Sequence, residues 1–312
     1  MKKTSALVEG AIMTAVYLIL LLISLYVPLI NLFSMLLLPI PILLVVCRQG
    51  LQVGFLSAAV ASVLSLLVAG VLGGFMGVMF ALIGVVIGEL YRRKKSAFAV
   101  LLGTSLAFVV SLLGLLVFMK VVLDINLIQQ GQQAMNEMIT QFEKMYKVQD
   151  PSVFKPLREA ISLMPIVLPS SILIGSLLIA IVVQWLSTLF LKRLRIPFQA
   201  LPPVREWNVP RGFLWLYLLT IVLMFTNPEQ GSTLHALVLN AFSLLSLVLA
   251  VQGFSVIFHF FYVKQWSRAG AIWTTVAIVI LSPFFALLME FVRILGILDL
   301  GFGLKQRTKK RQ

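Results

Sequence analysis

The stretch that decides the fold runs from Leu51 to Leu90: "LQVGFLSAAVASVLSLLVAGVLGGFMGVMFALIGVVIGEL". Its one charged residue is Glu89, next to its end. A bilayer-crossing helix needs about 20 consecutive apolar residues. This run supplies two, parted by the uncharged "AGVLGG". It predicts two crossings, Leu51–Ala69 and Val71–Leu90, and an all-α, polytopic transmembrane bundle. The runs are continuous rather than alternating, which excludes a transmembrane barrel.

The rest of the chain repeats the pattern. Of 312 residues 60% are hydrophobic and only 12% charged, with a mean hydropathy of +1.04; soluble domains carry about a quarter charged residues. Further crossings are expected at Ser5–Val27, at Leu32–Val46 (short and broken by "LPIPILL"), and at Ala97–Val122, Leu163–Leu191, Phe213–Phe225 and Leu234–Tyr262. The last apolar run contains Pro283 and reads either as one crossing or as a broken hairpin of Ala271–Ser282 and Phe284–Leu298. The total is about 8–10 membrane segments. Met-Lys-Lys before an apolar run imitates a secretory leader, but no small-x-small cleavage site follows, so a retained first helix is expected.

The formal charge of +14 does not point to nucleic acid. Most of the 25 Lys and Arg fall in short clusters between apolar runs: Lys2 and Lys3, Arg48, Arg92–Lys95, Lys192–Arg211, Lys264 with Arg268, and Lys305–Arg311. Basic links of this kind lie on the cytoplasmic side, where anionic headgroups attract them. The expected location is the inner (plasma) membrane, multi-pass, with the N-terminus cytoplasmic. A hairpin at the end would make the C-terminus cytoplasmic too.

This divides the chain into a five-helix membrane region (1–122), an extracytoplasmic amphipathic segment (123–162), a sixth membrane helix (163–191), a basic cytoplasmic loop (192–212), a C-terminal membrane region (213–299) and a basic cytoplasmic tail (300–312). In the amphipathic segment Ile128, Met135, Met138, Ile139, Phe142, Met145 and Tyr146 recur at helical spacing until Pro151 and Pro156. Such a helix lies on a membrane face or caps a bundle.

In lipid, helices associate through close packing, which small side chains permit. The first helix carries two small-residue ladders, Ala6–Gly10–Thr14 and Ala11–Ala15. One neighbour fills one ladder; the second leaves room for a membrane-protein partner. The glycines Gly84 and Gly88 form a GxxxG that intramolecular packing explains.

No chemistry-bearing motif appears. There is no phosphate loop, no His-Glu-x-x-His and no Gly-x-Ser-x-Gly. His235 and His259 lie about 36 Å apart along one helix, too far to share a metal. The single Cys47 makes neither a disulfide nor a cysteine cluster. No enzyme activity, cofactor or metal is expected, and ATP-driven transport would need another subunit.

Polar residues at membrane depth are the remaining candidates. Gln252, Ser255 and His259 share a helix face, with Asn240 further along. They read either as a stripe that binds a small solute or as interhelical glue. Glu290 and Arg293, at i and i+3, read either as a pair that neutralises itself or as a coupling-ion or gating pair. Asp299 reads as interfacial, and Glu89 as a salt-bridge partner of Arg92 and Arg93.

Four features together carry a resemblance: the proline-broken second helix, "VCRQG" leading into "LQVGFLSAAVASVLSLL", the late "VQGFSVIFHF", and the terminal "GILDLGFGLKQR". The whole chain resembles the YybS-like family of bacterial integral membrane proteins, which implies a multi-pass protein and no particular activity. The first 190 residues or so also resemble the substrate-binding S components of energy-coupling-factor vitamin transporters. In these an Ala-x-x-x-Ala on the first helix docks on the transmembrane coupling subunit, and "AIMTA" matches it at Ala11 and Ala15. S components typically have about six helices, whereas this chain has a further third of its length beyond that region and a large outer amphipathic segment. Two functional expectations follow: a small-solute binding or transport component working with partner subunits, or a non-transporting scaffold or assembly factor of the cell envelope.

Overall fold

A computed structural model describes residues 2–145, 151–282 and 285–309. Within these the chain is mostly helical, with no strand among the described residues. The helices are α1 (Lys2–Tyr26), α2 (Asn31–Leu37), α3 (Pro39–Gln49), α4 (Leu51–Arg92), α5 (Ala97–Val122), α6 (Leu127–Met145), α7 (Lys155–Ser162), α8 (Met164–Arg193), α9 (Gly212–Phe225), α10 (Thr233–Val263), α11 (Arg268–Leu281), α12 (Ala286–Phe302) and α13 (Leu304–Lys309). Two compact units emerge, one of residues 1–138 and 172–201, the other of residues 139–171 and 202–312.

Among the described residues, six stretches are long and apolar enough to cross a membrane: Thr4–Tyr26, Asn31–Gln49, Leu51–Arg92, Ala97–Val122, Met164–Arg193 and Thr233–Val263. The shorter apolar helices Gly212–Phe225 and Arg268–Leu281 accompany them. The third stretch is two passes rather than one. Forty-two helical residues in line would extend about 63 Å, twice the hydrocarbon thickness. Gly70 breaks the line at φ 67°, ψ −167°, a conformation essentially confined to glycine. A side chain at Gly74 would strike Leu66, and one at Gly77 would strike Ser65. The chain therefore turns back on itself at Gly70, and arms 51–69 and 71–92 pack together.

The first unit has a large apolar core that includes Tyr17, Leu21, Ile42, Leu43, Phe80, Ile83, Ile87 and Phe108. One close contact within it is between α3 and the second arm of α4. The GxxxG glycines make it: a Cβ on Gly84 would meet the Pro39 carbonyl oxygen at 2.5 Å, and one on Gly88 the Leu43 carbonyl at 2.9 Å. Pro39 opens α3, where its missing N–H is no loss. The proline break expected between residues 32 and 46 is thus a junction of two short helices.

The second unit has a smaller apolar centre of Tyr217, Leu249 and Leu300. Its long helix α10 lies against α12 at glycines: a side chain on Gly253 would strike the Val292 carbonyl, and one on Gly296 the Leu249 carbonyl. Sequence reading did not single out this pair. In the same unit Pro156 occupies the first turn of α7, so the chain re-forms a helix after the amphipathic α6 has ended. Tyr146 and Pro283, on which the end of the amphipathic pattern and the terminal hairpin turned, lie outside the described residues.

Candidate functional site

The two ladders of α1 have different fates. Ala6, Gly10 and Thr14 are buried, whereas Ala11 and Ala15 are exposed. The buried ladder faces the first arm of α4. A Cβ on Gly10 would meet Ser57 Oγ at 2.6 Å, and Thr14 Oγ1 donates to the Ser57 carbonyl at 3.4 Å. One turn on, the Tyr17 hydroxyl donates to the Gly77 carbonyl at 2.7 Å. At the other end Glu9 accepts from Arg48 Nη1 at 2.7 Å and from Gln49 Nε2 at 2.5 Å. These bonds fix the rotation of α1, so Ala11 and Ala15 point away from the unit. Around them Leu7, Val8, Ile12, Val16 and Ile19 are also exposed.

The polar residues of α10 form two separate arrangements. Asn240 is engaged at the proline break of α8. Its Nδ2 donates to the Ile166 carbonyl at 2.7 Å, and its Oδ1 accepts from the Ser170 amide at 2.8 Å. Pro169 lies between those two peptide groups. A proline inside a helix disturbs its hydrogen-bond ladder, and the carboxamide joins both sides of the disturbed turn.

Gln252 and Ser255 belong to a second, buried network with α12, α13 and the segment before α9. Gln252 Nε2 donates to Asp299 Oδ2 at 2.5 Å, and its Oε1 accepts from the Val209 amide at 2.9 Å. Ser255 Oγ donates to the Trp207 carbonyl at 2.9 Å. Lys305 Nζ reaches the same carbonyl at 2.6 Å and Ser255 Oγ at 2.9 Å, and lies 3.8 Å from Asp299 Oδ2. The Lys305 amide donates to Asp299 Oδ1 at 2.9 Å. Asp299 and Lys305 are only 6% and 7% exposed, so their charges depend on each other and on these dipoles.

This corrects two expectations. Lys305 is not a solvated member of a basic tail, because α13 turns it inward after Gly303 takes the left-handed conformation at the end of α12 (φ 64°). Asp299 is buried rather than interfacial. The one signal that carried them was the run "LDLGFGLK", an acid and a lysine six residues apart around two glycines. His259 is also buried and lines a groove at the end of α10. The structure thus joins Gln252 and Ser255 in one cluster, while Asn240 stands apart.

Glu290 pairs with Arg293, whose Nη1 also donates to Ser246 Oγ on α10 at 3.1 Å. Glu89 accepts from Arg92 at 2.7 Å and from Arg93 at 2.6 Å.

Residues 15–300 match the family model described as "Predicted membrane protein (DUF2232)". The chain belongs to the DUF2232 family of membrane proteins. It is 29% identical over 314 residues to "Uncharacterized protein YybS" of Bacillus subtilis (strain 168), covering 99% of this chain and 100% of that protein. No solved structure matches. The "LDLGFGLK" network straddles the end of the matched DUF2232 region, with Asp299 inside it and Lys305 beyond.

Proposed function

We propose that this DUF2232 protein is a non-enzymatic subunit of a membrane complex that binds or moves a small solute, driven by partner subunits. The observation that carries the reading is the split of α1: one small-residue ladder is buried in its own unit, the parallel ladder of Ala11 and Ala15 is bare. In lipid, a flat strip of this kind favours close approach of another helix. The first unit also contains six apolar segments: α1, the α2–α3 pair, the two arms of α4, α5 and the 172–193 part of α8. That number is the one the resemblance to S components leads one to expect. In this reading the chain lies in the plasma membrane with its basic links in the cytoplasm, and its partners are membrane proteins and anionic lipid, not nucleic acid.

The test is substitution of Ala11→Leu with Ala15→Leu in the full chain. Copurification of partner subunits is lost while the thermal midpoint of the isolated chain stays unchanged, since neither side chain is packed. Retained partners would sink the docking face. Thermal shifts of the purified protein with a panel of vitamins and other small metabolites test the solute, and a shift with one chemical class is expected.

A second reading, a non-transporting scaffold or assembly factor of the cell envelope, is favoured by the engagement of Asn240, Gln252 and Ser255 in internal bonds. Partner loss in the double variant combined with no thermal shift from any solute selects it.

A further inference from the structure

At the end of α10 a groove of about 790 Å³ opens between the last turns of that helix and parts of α11, α12 and α13. Its volume is in the range of small-molecule sites, about 300–1,000 Å³. The walls are almost wholly apolar, with Val256, Phe260 and Leu295 prominent and Thr274 on the α11 side. The rim carries Lys264 and Arg307. Both are exposed, and no acidic side chain forms an ion pair with either among the described residues. Lys305 also borders the groove, but its ammonium is turned to Trp207 and Ser255.

The polarity is graded along the helix. Val256 lies about 12 Å from Lys264 at 1.5 Å per residue, and Lys264 directly follows the crossing Thr233–Val263. A free anion would satisfy the two cations and leave the walls wet. A zwitterionic lipid would satisfy the walls and bring its own cation to a rim that already has two. We propose that this groove is a binding site for an anionic phospholipid, its phosphate head between Lys264 and Arg307 and an acyl chain running toward Val256 and Leu295. Basic pockets between membrane helices are suited to such headgroups. The site is separate from the α1 face and does not depend on it.

Native mass spectrometry of the delipidated full chain, titrated with phosphatidylglycerol or phosphatidylcholine of identical acyl chains, is the experiment. Phosphatidylglycerol should bind with an affinity on the order of tenfold or more above phosphatidylcholine, as two cations near an anionic head imply. Lys264→Gln with Arg307→Gln should bring the two lipids to equal affinity, and glycerol phosphate should not displace the bound lipid. Leu295→Trp, or Thr274→Phe should that variant fail to fold, should weaken both lipids. Equal binding of the two lipids to the unmodified chain, a preference that survives the double substitution, or displacement by glycerol phosphate would each overturn the site.

Discussion

The two units of this protein solve one problem in different ways. The first packs apolar side chains in quantity, seats backbone on backbone through Gly84 and Gly88, and lets Ser57 close on Gly10. The second has a small apolar centre, and its helices are tied by a carboxamide at a proline break and by a buried acid–lysine pair. Lipid tails are as apolar as leucine, so burial of carbon alone does not drive helices together. Both units use close glycine contacts; the first adds a large apolar core, the second a buried charge pair and a carboxamide tie. Shape tolerates loss of a polar atom, whereas a polar lock tolerates very little.

Removing one partner of the buried pair should have the largest effect. Asp299→Ala strands the Lys305 ammonium, a loss of about 3–5 kcal/mol for a broken buried pair, and should lower the thermal midpoint of the detergent-solubilised protein sharply. Asp299→Leu with Lys305→Met should recover most of that loss, since replacing both charges by apolar groups is often neutral. If the single and double variants lose equally, the pair is not what holds α13.

Next comes Gly296→Leu, which drives a side chain into the Leu249 carbonyl. Overpacking of this kind costs about 1–3 kcal/mol or more. Protease susceptibility should rise in the second unit, and an unchanged cleavage pattern would contradict the close crossing. Asn240→Ala is expected to be milder, about 0.6–1.7 kcal/mol by the measured span for hydrogen bonds between membrane helices. A double-mutant cycle with Pro169→Ala sharpens the comparison, because the asparagine should lose most of its value once the helix turn is restored. Smallest of all is Glu9→Gln in the first unit. Its ion pair with Arg48 is partly exposed, and such pairs contribute about 0–1 kcal/mol, so the midpoint should hardly move.

The same contrast explains what could be read in advance. The helical membrane class, the two passes within 51–92 and the packing role of Gly84 and Gly88 were legible, because each follows from a local run of residues. So was the excess of small surface on α1, though only contact with Ser57 decides which ladder is covered. Lys305 was not legible: beside Arg307 and Lys309 it reads as one more tail cation, and only the turn at Gly303 brings it back to α10. Gln252 and Asn240 were found, but apart from the Asp299 carboxylate their partners are peptide groups, those at Val209, Ile166 and Ser170 among them. Backbone groups leave no trace in residue identity. Gly253 and Gly296 were missed because they sit in different helices, 43 positions apart.

The reversal at Gly70 bears on how the chain enters the bilayer. With a single residue at the bend, no water-loving connector has to be dragged through hydrocarbon. The arms should therefore slip in jointly as one wedge, with Glu89, Arg92 and Arg93 left behind on the side from which insertion began.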